Sequence, residues 1–325
     1  MKECSLSILI PSRKEQFLDW TISNILQNIE VDTEIVAVLD GAWPHPGHEI
    51  LQHERVNIIY VPESIGQRAA TNMAAKLARG RYLMKVDAHC SFDKGFDRIM
   101  VEGFTEVGDD VTMVPIMRNL WAFDWKCYSC GWKKYQGPTP EKCEQCGGTN
   151  VKRKMMWVGK HNPQSWSYCF DAVPKFQYFE EYKHRPGIRE AAKQSGFSET
   201  MSLQGSCFMV HREKYWELNL CDESLGSWGN QGIEVACKTW LSGGRVLINH
   251  NTWYAHMFRT QGGDFGFPYP QSGREQQKTK AKTWDQFFNG RWDKQIYPVS
   301  WLVKKFWPVF GWTDDDLANL IQKET

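Results

Sequence analysis

The first third of the chain alternates solid apolar runs with segments whose apolar residues recur at helical spacing. Residues 6–10 read as a strand, and residues 15–29 as a helix with Phe17, Leu18, Ile22, Ile25, Leu26 and Ile29 on one face. Residues 34–39 form a second strand ending at Asp40-Gly41, and residues 57–61 a third. An Ala-rich helix at 67–79 leads into a strand at 82–86, where Lys85 is the polar exception. This alternation predicts an α/β fold with a mostly parallel, doubly wound sheet flanked by helices.

The pattern then breaks. From residue 121 to 160 the chain is rich in Cys, Lys, Trp and Gly, which reads as an inserted module. Strand-like sequence resumes at 205–210. A turn at Trp228-Gly229-Asn230-Gln231-Gly232, a helix at 233–241 and a strand at 245–248 follow. Gly262-Gly263-Asp264-Phe265-Gly266 is too glycine-rich for a regular element and is expected to be a mobile lid. Residues 297–307 read as a packed C-terminal helix, with a membrane-surface helix as the alternative. The expected organisation is 1–120 for one half of the main domain, 121–160 for the insertion, 161–275 for the other half, and 276–325 for a helical extension.

Composition narrows the function. With 325 residues, 42% hydrophobic and 24% charged, the chain can bury a substantial core. A net charge of +1 excludes a global field for nucleic acid or anionic lipid, so any basic surface is local. Sixteen Trp exceed what a core needs, and Trp also stacks on sugars and bases. No signal peptide and no membrane-spanning run is evident, which points to a reducing cytoplasm where the ten Cys are thiols or metal ligands. Neither G-x-G-x-x-G nor a P-loop is present in the first part, disfavouring a dinucleotide or ATP site there.

Cys127-x-x-Cys130 and Cys143-x-x-Cys146 have the spacing of two zinc knuckles, with Gly131 and Gly147-Gly148 permitting the tight turns. Four thiolates close a tetrahedral shell, so the expected ion is structural Zn²⁺. Lys133, Lys134, Lys152, Arg153 and Lys154 interleave with Trp125, Tyr128, Trp132, Tyr135 and Trp157 around it. That mixture suits a nucleic-acid backbone and its bases, the alternative being a ribbon that only staples a long insertion.

The strand at 82–86 stops abruptly at Asp87-Ala88-His89. Ligands of open α/β sheets bind beyond the carboxyl ends of strands, so an Asp and a His two apart at that edge can address one divalent cation. Asp40 ends a neighbouring strand, with a turn-starting role as the plainer alternative.

Ile8-Leu9-Ile10-Pro11-Ser12-Arg13-Lys14-Glu15, Glu34-Ile35-Val36-Ala37-Val38-Leu39-Asp40, Gly66-Gln67-Arg68-Ala69-Ala70-Thr71-Asn72, Gly80 and Asp87-Ala88-His89 together resemble the nucleotide-sugar half of GT-A glycosyltransferases. The closer resemblance is to polypeptide N-acetylgalactosaminyltransferases (family 2/27-like), whose metal motif is also Asp-x-His. Their Trp-Gly-Gly-Glu-Asn-Leu-Glu is similar to Trp228-Gly229-Asn230-Gln231-Gly232-Ile233-Glu234, and their Gly-His-Val-Phe-Arg to Ala255-His256-Met257-Phe258-Arg259. An aromatic-Pro loop corresponds to Phe267-Pro268-Tyr269-Pro270.

The resemblance implies a GT-A fold in which Asp87, His89 and His256 ligate Mn²⁺ (or Mg²⁺), which holds the diphosphate of a UDP-sugar. It further implies that Ser12, Arg13, Asp40, Arg68, Arg259 and Tyr269 lie along the donor, Asp40 accepting from uracil or ribose. The family carboxylate after Trp-Gly-Gly falls on Gln231, which hydrogen-bonds but is no base. Trp228 and Gln231 are expected at the reacting centre with a retaining outcome. Glu234 is the nearest carboxylate for an inverting one, its alternative being a first-turn Glu favoured by the helix dipole.

The expected function is therefore metal-dependent transfer from a UDP-sugar to a hydroxyl. The leading acceptor is a hydroxymethylated pyrimidine in viral DNA, modified by a virus-encoded enzyme in the host cytoplasm. The rivals are a transferase acting on protein Ser/Thr or a cell-surface glycan, and an inactive zinc-ribbon nucleic-acid-binding protein.

Overall fold

A computed structural model describes residues 4–44, 50–259, 265–267 and 273–325. The elements in chain order are β1 (Cys4–Ser12), α1 (Leu18–Asn28), β2 (Thr33–Asp40), β3 (Val56–Val61), α2 (Gln67–Leu77), β4 (Gly80–Val86), β5 (Cys90–Phe92) and α3 (Phe96–Val107). Then come β6 (Val111–Cys127), β7 (Lys133–Tyr135), β8 (Val151–Ser165), β9 (Tyr168–Phe170), β10 (Phe176–Tyr178), α4 (Ile188–Ser195), β11 (Phe197–Glu199), β12 (Cys207–His211) and α5 (Arg212–Glu217). The chain closes with α6 (Gln231–Leu241), β13 (Arg245–His256), α7 (Gly273–Phe288), α8 (Val299–Lys305) and α9 (Asp314–Glu324).

The main sheet has the order β11-β13-β6-β12-β4-β1-β2-β3. Its β3-β2-β1-β4 half is parallel, as the βαβ pattern requires, and β1 and β2 are buried almost throughout. Beyond β4 the sheet becomes mixed, because β12 runs antiparallel to both β4 and β6 while β13 is parallel to β6. In β12 the partner of Val86 is Cys207, so β12 begins where β4 ends and brings Gly205 and Ser206 to the same sheet edge.

Two local departures from the expected elements matter for the site. The first helix begins at Leu18, three residues later than its periodicity suggests, because Phe17 is non-helical at φ −123° and ψ 15°. Glu15 is thereby left in a loop after β1 and turned inward. The strand expected at 245–248 runs on to His256, with its register against β6 shifting between Asn249 and Trp253. The polar run Asn249-His250-Asn251-Thr252 that hid this continuity is that irregularity, where the Asn249 Oδ1 accepts from the Asn251 N–H at 3.0 Å.

The turn before α6 is as expected but tighter. Gly229 and Asn230 both have positive φ, 102° and 51°. A Cβ on Gly232 would overlap the Leu203 carbonyl, so only glycine lets α6 approach the 203–205 segment. The segment at 297–307 is a packed helix: Val299, Leu302, Val303 and Phe306 are all in the core.

The Cys-rich stretch is no detached module. β6 and β8 are one long antiparallel hairpin continuous with the main sheet, and the knuckles sit at its tip. One face of the hairpin packs into a second core of Phe17, Phe123, Trp125, Trp157, Met257 and Phe265. That core reaches the sheet edge itself, since Phe265 meets the His89 ring edge-on at 5.0 Å between centroids.

Candidate active site

A cavity of about 470 Å³ opens at the carboxyl edge of the sheet. Its lining includes Asp87, His89, His256, Trp228, Gln231 and Arg259. These come from three places in sequence, and pairing explains how they meet. The turn after β4 carries Asp87 and His89, and β5 then pairs antiparallel with the end of β13, setting Cys90 opposite His256. The Met257 N–H donates to the His89 carbonyl at 3.1 Å, fastening the two histidines side by side.

The expected trio converges. His256 Nε2 lies 3.3 Å from Asp87 Oδ2 and 3.1 Å from His89 Nε2, and His89 Nε2 lies 3.8 Å from Asp87 Oδ2. All three ligand atoms fall within 4.8 Å of one another. Burial alone would raise the Asp87 carboxyl, but Lys85, the His256 hydrogen bond and His89 hold it far below the usual range. Burial pushes the His256 imidazole down to about 4, despite its bond to Asp87. A carboxylate and a neutral imidazole are the protonation states a metal requires.

Two residues behind this trio escaped the sequence reading. Lys85 is fully buried; its ammonium is hydrogen-bonded to Asp87 Oδ1 and donates to the Gly205 carbonyl at 2.6 Å. It fixes one carboxylate oxygen and leaves Oδ2 facing the histidines. Glu15 places Oε2 3.3 Å from His89 Nδ1 and pairs through Oε1 with Arg259. A carboxylate on the far nitrogen of a ligating imidazole is the usual way to fix its tautomer. The only available signals were a Lys inside an apolar strand and a Glu just past a strand end.

Arg259 lines the cavity, donates to the Gly266 carbonyl at 2.6 Å, and lies 4.3 Å over the Phe265 ring. Trp228 meets Phe267 edge-on across the mouth, with centroids 5.9 Å apart. Gln231 is nearly enclosed; its amide donates to Cys221 Sγ at 3.2 Å, and its carbonyl oxygen has no partner. Tyr269 and Gly262-Gly263-Asp264 lie outside the described residues.

The expected roles of Glu234 and Arg68 need correction. Glu234 does not face the cavity. Its Oε2 takes Arg68 Nε at 2.9 Å, and its Oε1 takes the Asp222 N–H at 2.7 Å and Lys238 Nζ at 3.1 Å. A fully buried carboxylate so occupied cannot serve as a base. Arg68 is equally enclosed, its remaining donors on the carbonyls of Gly226 and Gly229 at 2.9 and 2.6 Å. It clamps α2 to the Trp228 turn and is not among the residues lining the cavity. Asp40 accepts from the Ile65 and Gly66 N–H groups at 2.6 and 3.1 Å and from Ser64 Oγ at 3.0 Å. Its carboxylate shapes the 64–66 loop, and Arg13 joins that loop through Ser64 Oγ. Ser12 is buried beside β2 with its hydroxyl unpartnered.

At the hairpin tip the four cysteines also converge. Cys127 and Cys146 sulfurs are 3.7 Å apart and those of Cys130 and Cys143 3.5 Å, with all four within 4.8 Å. Each knuckle is closed by a glycine N–H, Gly131 to Cys127 and Gly147 to Cys143, both at 2.9 Å. Around it the basic and aromatic residues divide. Trp125 and Trp157 belong to the second core. Arg153 stacks on Phe123 and Trp125 and donates to Gln16 Oε1 at 2.8 Å. Lys133, Lys152 and Lys154 stay on the other face, while Lys134 stands opposite Trp125 and pairs with Glu144.

Residues 7–136 match the family described as Glycosyl transferase family 2. The chain carries a family 2 glycosyltransferase domain. It is homologous to polypeptide GalNAc-transferases: human N-acetylgalactosaminyltransferase 7 is 33% identical over 215 residues, 66% of this chain and 27% of the relative. Polypeptide N-acetylgalactosaminyltransferase 3 of Drosophila melanogaster is 22% identical over 213 residues, 63% of this chain and 27% of the relative. The matched region thus spans under a third of these relatives' length. The crystal structure of GalNAc-T7 with UDP, GalNAc and Mn²⁺ superposes with a TM-score of 0.61 at 17% identity, over 94% of this chain and 54% of that one. The fold is GT-A.

Proposed function

We propose that this protein is a metal-dependent glycosyltransferase that moves a sugar from a UDP-sugar to a hydroxyl, with retention at the anomeric carbon. The observation that carries the reading is the meeting of Asp87, His89 and His256 at the floor of an open cavity on a GT-A scaffold. One carboxylate and two imidazoles with open positions fit Mn²⁺ better than the all-oxygen preference of Mg²⁺. Bound there, the ion would supply Lewis-acid stabilisation to the departing diphosphate. The GalNAc-T7 complex, which holds UDP and Mn²⁺, supports the assignment.

In the transfer the bond between the sugar anomeric carbon and the diphosphate oxygen breaks, its electron pair leaving on UDP. The acceptor oxygen bonds to that carbon, and its proton passes to the departing phosphate oxygen. Arg259, which lines the cavity beside Glu15, would supply a guanidinium to the phosphate. Gln231 orients a hydroxyl without taking its proton, which same-face attack permits.

For the acceptor we favour a hydroxymethylated pyrimidine in DNA. Lys175 and Lys280 line the cavity with no carboxylate partner among the described residues, beside the flat faces of Trp228 and Phe176. A base flanked by phosphates matches that wall. The homology to polypeptide GalNAc-transferases favours a second reading, transfer to protein Ser/Thr. We assign Zn²⁺ to the four cysteines as a closed structural site. No helix among the described residues is long and apolar enough to cross a membrane.

The test is UDP release from a panel of UDP-sugars with Mn²⁺, followed by mass spectrometry of hydroxymethylated DNA, plain DNA and Ser/Thr peptides. Mn²⁺-dependent release with a hexose mass on hydroxymethylated DNA is expected. Mass gain on peptides alone would replace the DNA reading, and release indifferent to metal would remove the site assignment.

A further inference from the structure

The charge of this protein is unevenly placed. Residues 121–160 hold eight Lys and Arg against Asp124, Glu141 and Glu144, a net of +5 in a chain whose total is +1. The rest of the molecule is therefore net acidic, at −4. Within the hairpin the ladder sorts these charges by face. Lys126 of β6 stands opposite Lys133 of β7 on one side and Lys152 of β8 on the other. The next row on that face is Tyr135, Asp124 and Lys154.

The opposite face carries Trp125, Arg153, Phe123 and Met155 into the second core. Lys133, Lys152 and Lys154 are left exposed, and Lys126 is half-buried under an aromatic ring, its ammonium 4.9 Å from the centre of Tyr128.

Like charges directly across a ladder repel, so three lysines in one row destabilise the hairpin unless something neutralises them. Several lysines elsewhere do have carboxylate partners: Lys94 with Glu30, Lys183 with Glu180, Lys214 with Asp110 and Glu217, Lys305 with Glu199. On this face no carboxylate pairs with Lys126, Lys133, Lys152 or Lys154 among the described residues. The one acid in the rows, Asp124, is nearly buried and accepts from Trp121 Nε1 at 2.8 Å. Tyr128 and Tyr135 stand 53% and 43% exposed at the edge of the lysines. Lys160 lies 4.0 Å from the Tyr135 ring centre, extending the cationic strip along β8.

We propose that this lysine face docks a nucleic-acid strand, its phosphates on Lys126, Lys133, Lys152 and Lys154 and its bases on Tyr128 and Tyr135. Repeating cations without counter-charges match a repeating anion, and exposed rings beside them add sequence-tolerant stacking that a simple polyanion cannot use. The metal-held tip and the second core make the face rigid with respect to the sheet edge, so a docked strand has a fixed relation to the cavity. The inference rests on the nucleic-acid reading of the acceptor, but it concerns binding and not transfer.

The test is fluorescence anisotropy of the full chain with labelled single-stranded and duplex DNA at 50 and 200 mM salt. Four neutralised phosphates on a single strand predict roughly 50-fold weaker binding at the higher salt. The variant K126Q/K133Q/K152Q/K154Q is expected to lose most of the low-salt affinity and nearly all of the salt response. Its zinc content and its UDP release from donor alone should equal those of the parent, showing an intact fold. Tyr128→Ala with Tyr135→Ala should weaken single-stranded DNA by about fivefold or more and leave heparin unchanged.

Absence of binding at 50 mM salt, or equal affinity in the quadruple variant, would overturn the proposal. So would heparin competing as well as DNA while the tyrosine changes do nothing. Binding that persists without sugar transfer to DNA would remove the acceptor reading and leave the docking face standing.

Discussion

The two clusters of ligating side chains in this protein are built on opposite plans. At the hairpin tip four thiols converge from two short knuckles, each residue near its partner in sequence, and they complete a shell. At the sheet edge three donors come from residues 87, 89 and 256, and one side is left to the cavity. The first cluster is local and closed; the second is long-range and open. A closed shell can only hold a fold together, whereas an open one can present an ion to a ligand. The open cluster accordingly has side-chain support, with Lys85 behind Asp87 and Glu15 behind His89, while the knuckles of the closed one are closed by backbone N–H groups.

The comparison breaks most directly at Asp87. Asp87→Asn keeps the shape but removes the anionic ligand, and we expect Mn²⁺-dependent UDP release to fall more than about 100-fold, beyond the range of supporting residues. Unchanged release would leave the open cluster without a role. Lys85→Met comes next. It frees Asp87 Oδ1 and removes a buried positive charge from beside the ion site, so turnover should drop about 10- to 100-fold. Mn²⁺ titrated without nucleotide should at the same time bind more tightly, a reading that a merely misfolded variant would not give.

Cys143→Ser tests the other side. Bound zinc should disappear and the melting temperature should fall. UDP release from donor alone should change less than about tenfold at a temperature where the protein stays folded. A collapse of release to the Asp87→Asn level would show that the closed cluster is no mere staple.

The smallest expected effect is a pH response independent of both clusters. Burial pushes His250 down to about 4, beneath Trp166 and beside Ser198 Oγ at 2.7 Å. The unfolded chain takes up this proton near the ordinary value of about 6.5, and the folded chain does so only near 4. Its contribution to stability is thus full above 6.5 and is lost as pH falls towards 4. His250→Gln should flatten that part of the acid denaturation curve without altering zinc content.

What the sequence disclosed follows from the same distinction between local and long-range. The βαβ half was legible because β1, β2 and β4 are apolar runs buried almost throughout. The two CxxC knuckles were legible because their geometry is set within a few residues. Asp87-Ala88-His89 was legible because the apolar run stops dead at a charge. Glu15 was not, because helical periodicity absorbed it into α1. Arg68 and Glu234 were each assigned chemistry when they in fact bind each other across the fold, a pairing that no spacing reveals. Arg153 counted as surface charge but lies flat on aromatic rings in the second core. Side-chain partners set by tertiary contact, and not residue type, decided these cases.

The hairpin that bears the closed cluster has a practical consequence. Cys127 and Val151 are ladder partners, and between them residues 128–150 hold the two knuckles and β7, which pairs back onto β6 at Asp124, Trp125 and Lys126. β13 pairs with β6 at residues 111–119, so a replacement that supplies its own partner for β6 at 124–126 leaves β13 and the edge where Asp87 and His256 meet in place. The protein therefore offers a natural graft point, at which partner choice can be rewritten while the sugar-handling floor beneath stays as it is.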